Sequence, residues 1–229
     1  MRVVGPSVAF LVLALSARAE TLHYVINWPS GLSLGEATLT SSGTTSTSGP
    51  VSAEHWTFEL NIDASLPGFA LRDQDRSKAK DGLCSVQLDK STTHGQRKTE
   101  ERVTFDQEQN TITRGSPDGT PGAPISVSTC SRDALTFLQF ARRELAQGRM
   151  APEQDVVFGA SYQVRLQYTG QQTVSVGEQQ VPTDHIVATI RGPASDITVE
   201  LFFARDAART PVLAKIPVSL GTFSVELTH

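Results

Sequence analysis

Cysteine is scarce in this sequence, two in 229 residues, and methionine, tryptophan and tyrosine are nearly as rare. Two cysteines exclude a multi-disulfide scaffold and any four-cysteine metal site. No apolar run approaches the roughly 20 residues that a helix needs to span a bilayer. The longest, Val8 to Leu15, stops well short of it. Basic residues are not in excess either, with 20 Lys and Arg against 24 Asp and Glu, a net charge of −4. Phosphate backbones demand clustered Lys and Arg, so nucleic acid is not the expected partner.

Catalytic signatures are missing as well. The chain has no glycine-rich phosphate loop and no nucleotide fingerprint. Its five histidines, His23, His55, His94, His185 and His229, never stand at His-x-His or His-x-x-x-His spacing. No metal or other cofactor is therefore expected. Asp73-x-Asp75-x-Ser77 begins like a calcium loop, but Lys78 stands where glycine is needed and Cys84 where the closing glutamate belongs. Glu100 and Glu101 are adjacent, so on a strand they point to opposite faces and make no acid–base pair.

What is present begins at the N-terminus. Arg2, the apolar run Val8 to Leu15 and the small-residue site Ala17-Arg18-Ala19 have the layout of a signal peptide spanning residues 1–19, cleaved before Glu20. Cleavage removes Arg2 and Arg18 and leaves residues 20–229 more acidic. The expected compartment is the periplasm, with secretion as the alternative, and no membrane span remains in the mature chain. In an oxidising compartment Cys84 and Cys130 are expected to pair, which stabilises a fold by about 2–4 kcal/mol.

Period-two alternation dominates from Leu22 onward, as expected of strands with one buried face. Trp56, Phe58, Leu60 and Ile62 form one set; Tyr162, Val164, Leu166 and Tyr168 another. Ile197, Val199, Leu201 and Phe203 follow, then Val212 to Val218 with Pro211 and Pro217 marking an edge or a bulge, then Phe223, Val225 and Leu227. Turn residues separate these runs, at Pro29-Ser30-Gly31, Pro67-Gly68 and Gly192-Pro193 among others. The polar segments 41–50 and 115–126 read as loops, and Arg72 to Lys80 as a mixed, solvated stretch. The expectation is one β-rich domain over residues 20–229: a single antiparallel, strongly curved sheet or half-open barrel.

One stretch breaks the pattern. Within about 131–147, Leu135, Leu138, Ala141 and Leu145 share a helical face with Ala134 and Phe137, and Gly148 stops the helix. Ser131 is the expected cap, with Asp133 in the first turn. The tetrad Cys130-Ser131-Arg132-Asp133 has two readings. A nucleophilic Cys130 would gain from a helix N-terminus, but a second cysteine is there to pair with it, and the disulfide is preferred. Ser131, Arg132 and Asp133 can also stand at the mouth of a cavity between helix and sheet. Inward side chains carry few charges on this reading, and a filled interior competes evenly with an apolar cavity.

The segments LHYVINWPSGLSLGEATL, DGLCSVQLDKSTTHGQRKTEERVTFD, CSRDALTFLQFARREL and LFFARDAARTPVLAKIPVSLGTFSVEL carry a resemblance. Over most of residues 20–229 the chain resembles the domain of unknown function 3108 (DUF3108) family of bacterial exported proteins. In that family the helix follows an Asp-Pro-like turn, a position that Cys130 to Asp133 occupies here. The resemblance implies a β-rich envelope protein without known catalytic residues, similar in shape to open barrels that carry periplasmic lipoproteins. The expected function is non-enzymatic binding of an apolar, lipid-like or amphipathic ligand in the sheet concavity. The alternative is an envelope assembly protein that pairs strands with a protein partner, and an envelope-polymer hydrolase ranks third.

Overall fold

The computed structural model describes residues 17–46, 53–66, 69–193, 196–218 and 221–228. Most of the expected signal peptide, residues 1–16, lies outside the described residues, while Ala17 to Ala19 already pair with Thr44 to Ser42. The chain forms β1 (Ala17–Asn27), β2 (Ser33–Ser46), β3 (Ala53–Leu66), β4 (Phe69–Lys80), β5 (Cys84–His94), β6 (Arg97–Asp106), β7 (Thr111–Gly115) and β8 (Ile125–Ser126). After these come β9 (Arg132–Asp133), the helix α1 (Ala134–Ala146) and β10 (Gln154–Phe158). The rest is β11 (Ala160–Val176), β12 (Gln179–Arg191), β13 (Asp196–Ala204), β14 (Pro211–Val218) and β15 (Gly221–Thr228).

All fifteen strands belong to one sheet, in the order β8-β7-β6-β5-β4-β3-β2-β1-β15-β14-β13-β12-β11-β10-β9. The first and last strands of the chain meet in the middle, and both sheet edges come from the middle of the sequence. The expected alternation sets fall on β3, β11, β13, β14 and β15. Pro211 sits opposite the register shift at Phe202/Phe203, so it marks a bulge, and β14 is an interior strand.

Three expectations need correction. The sheet is mixed: β9 runs parallel to β10, because the two are joined through α1 and a parallel pair requires such a crossover. Residues 41–46 continue β2 instead of opening a loop, with Gly43 lying so close to Trp56 that a Cβ would fall 2.5 Å from its ring. Arg72 to Lys80 is no solvated stretch, since it belongs to β4 and buries Asp75, Ser77 and Ala79.

The helix packs against strands from both arms of the sheet. Leu135 meets Phe58 and Ala79; Phe137 and Ala141 meet Val156 and Val164; Leu145 meets Ile186 and Phe203. The arms also touch each other, for Val157 of β10 packs with Leu88, Val103, Phe105 and Ile112 of β5 to β7. Burying these side chains is the main force that brings the arms together.

Candidate functional site

The tetrad before the helix is a structural knot. Cys130 is joined to Cys84, so neither sulfur is a thiol. The helix starts at Ala134, and Asp133, not Ser131, is its N-cap. Parallel pairing with β10 holds Arg132 and Asp133 extended, which delays the helix beyond the boundary expected from its apolar face. The Asp133 carboxylate accepts from the backbone N–H groups of Leu135 and Thr136 and from the hydroxyls of Ser77, Ser85 and Thr136, at 2.5–3.0 Å. The Ser131 carbonyl accepts from the Ser85 N–H at 3.1 Å and from Gln107 Nε2 at 3.1 Å.

Arg132 is buried too, its guanidinium 3.8 Å from the Phe140 ring centroid. It donates to Gln154 Oε1 at 2.7 Å and to the Gly82 carbonyl at 3.0 Å. Burial, and then the neighbouring charge of Arg143, pull its pKa down to about 10, with Glu144 opposing. Ser131, Arg132 and Asp133 therefore do not form a cavity mouth. They are enclosed because β4, β5 and β10 close around them.

The opening lies one turn further on. An apolar cavity of about 420 Å³ separates α1 from β10 to β14. Ala134, Phe137, Leu138 and Ala141 form the helical wall, and the sheet contributes the alternating sets of β11 and β13, among them Val164 and Val199. Leu138 is half-buried because it faces this hollow, whereas Leu135, Ala141 and Leu145 are buried. Among the described residues that line it, none is charged, and Tyr162 alone has a polar side-chain atom. The size falls within the range of about 300–1,000 Å³ typical of ligand pockets. Gly192 lets the Tyr162 ring lie against the turn, for a Cβ there would stand 2.1 Å from it.

A polar rim at Phe158 escaped the reading of the sequence. Phe158 lines the cavity and is still 49% exposed. The Lys90 ammonium sits 4.1 Å from its ring centroid and 3.6 Å from Asp75 Oδ2. Asp75 is buried, and its Oδ1 has no hydrogen-bond partner among the described residues. Burial raises the Asp75 pKa above the usual carboxylate value; Lys90 opposes this, while Asp73 and Asp133 add to it. Register places Asp73 opposite Ile62, Asp75 opposite Leu60 and Ser77 opposite Phe58. These groups thus share a face with the apolar set of β3, contrary to the expectation of few inward charges. The visible signal was the alternation Asp73, Asp75, Ser77, Ala79, hidden by the charged residues between them.

At the other end of the helix Arg142 is clamped. Its guanidinium grips both carboxylate oxygens of Glu20 at 2.7 and 2.8 Å and reaches the carbonyls of Ala208 and Arg209. Among the described residues no group of three His, Cys, Asp or Glu side chains is placed to hold a metal ion.

Fold and cavity together define a barrel-like β protein in which the helix α1 lies beside an apolar hollow. The chain belongs to the family described as "Protein of unknown function (DUF3108)", which matches residues 21–228. Its fold is similar to that of the beta-barrel-like protein of domain of unknown function DUF1849 from Brucella abortus, with a TM-score of 0.55 and 8% identity. That similarity covers 91% of this chain and 94% of the other. At such identity the likeness concerns the fold alone. No functionally curated protein matches the chain.

Proposed function

We propose that this protein is a non-enzymatic binding protein of the cell envelope. It holds an apolar or amphipathic ligand between α1 and a strongly curved half-barrel made by β10 to β14. The observation that carries this reading is the apolar cavity of about 420 Å³. Curvature is supported by the ties from β9, at one edge of the strand order, to Ser77 on β4 and Ser85 on β5, near the other edge.

Export is supported by the leader-like N-terminus and by the Cys84–Cys130 disulfide, which suits an oxidising compartment. A role in binding rather than catalysis is supported by the lining, where the Tyr162 hydroxyl is the sole polar side-chain group. Asp133 is fully buried outside the cavity lining, its oxygens taken up by the helix start and three hydroxyls. Strand addition has less to work with, since the edge strands β8 and β9 have two residues each and β9 is buried.

Native mass spectrometry of protein purified gently from the envelope fraction tests the reading. An adduct that solvent extraction removes and an added apolar probe displaces is the expected result. Unliganded protein that takes up no apolar probe at any concentration would sink it.

A further inference from the structure

Resting on the ligand-binding reading, we infer that the ligand carries a neutral polar head with both a donor and an acceptor, a hydroxyl or a carboxamide, held between Lys90 and Asp75 with its tail in the cavity. Phe158 connects the two regions: part of its ring lines the apolar hollow, and the Lys90 ammonium lies 4.1 Å from its centroid. Cation–π attraction holds the ammonium there without using its N–H groups as hydrogen-bond donors.

Both polar partners have spare capacity. Lys90 has three N–H groups, and among the described residues its ion-pair partner, Asp75 Oδ2, is 3.6 Å away, beyond hydrogen-bond reach. Among the described residues Asp75 Oδ1 is an acceptor without a donor, and because it is fully covered a head group reaches it by displacing the side chains over it. A buried polar atom left unpaired is costly, so a group that supplies the donor gains affinity.

The two charges decide between head groups. An anionic head attracts Lys90 but meets Asp75, with Asp73 close behind it on the same face. A cationic head meets Lys90 at the rim. An ether or bare alkyl end leaves Asp75 Oδ1 unpaired. A hydroxyl or amide accepts from Lys90 and donates to Asp75, which satisfies both without adding charge.

The test is competition for a fluorescent apolar probe, N-phenyl-1-naphthylamine, bound to the full chain at neutral pH. The competitors are decanol, decyl methyl ether, decanoate and decylammonium, which share one alkyl length and differ in the head. Decanol is expected to displace the probe at a concentration about tenfold or more below that of its ether, since only the alcohol donates to Asp75. Both ions should be weaker than decanol. In Asp75→Leu the gap between alcohol and ether should close and decanoate should gain; in Lys90→Met decylammonium should gain.

An ether as good as the alcohol in the unaltered protein overturns the inference, as does an ion that outcompetes decanol. Since that ranking needs no variant, misfolding of a mutant leaves the test intact. If the probe itself does not bind, the ligand-binding reading fails as well; if the probe binds and all four competitors act equally, the head-group assignment alone fails.

Discussion

Asp133 joins the helix start to β4 and β5 through a single carboxylate. Asp133→Ala removes the N-cap and leaves the Ser77, Ser85 and Thr136 hydroxyls without their acceptor. The expected loss is at least about 2 kcal/mol by urea unfolding, and a loss under half of that would refute the knot. Asp75 behaves in the opposite sense. Its folded pKa lies above the ordinary 3.8, so the folded chain binds the proton more tightly. Stability therefore declines as pH rises from that value through the folded pKa. Asp75→Asn should flatten this decline and leave the protein at least as stable as before at neutral pH, read from urea midpoints between about pH 4 and 7. The Cys84–Cys130 pair was legible from composition, because two cysteines leave a single intramolecular pairing. The capping role of Asp133 was not, since pairing with β10 is a long-range event that local capping preferences do not contain.

For the helix, the useful contrast lies between two leucines on one face. Leu145 is buried against Ile186 and Phe203, so Leu145→Ala should cost about 2–5 kcal/mol. Leu138 faces the hollow, and truncating it loses less because part of its surface has no packing partner to lose. Leu138→Trp should instead fill the cavity, abolishing probe fluorescence while circular dichroism and the melting temperature stay near those of the unaltered protein. The helix face and most strands were readable because amphipathic period and burial coincide there. The sets at Tyr162 to Leu166 and Ile197 to Phe203 even supply cavity lining. Tyr168 left its set, with 45% of its surface exposed, because the register shifts between Tyr168 and Gly170. Charged β4 read as solvated because a strand with one enclosed polar face and one exposed polar face shows no hydrophobic alternation.

At the scale of the molecule, the disulfide ties β5 to the segment entering β9, across a sequence separation of 46. Replacing both cysteines with serine should lower stability by about 2–4 kcal/mol. It should also weaken apolar-probe binding, because β9 and the helix start position the wall of the cavity. Unchanged binding in a fully folded double variant would show that the packed arms hold that wall unaided. The parallel pairing of β9 with β10 and the order of the strands were beyond sequence patterns, which report which face of a strand is buried but not which strands are neighbours.

The meeting of β1 with β15 has a consequence for how the chain is made. His23 pairs with Thr228, so the middle of the finished sheet joins β1 to the strand furthest from it in the sequence. Until residues 221–228 arrive, β1 can pair with β2 but presents its other side as an open edge, the kind of template on which chains stick to one another. The period of danger is thus the time between emergence of the first strand and release of the last. A chain ending at residue 220 leaves that edge open permanently, and light scattering after refolding should find it aggregated although the strands lining the cavity are intact.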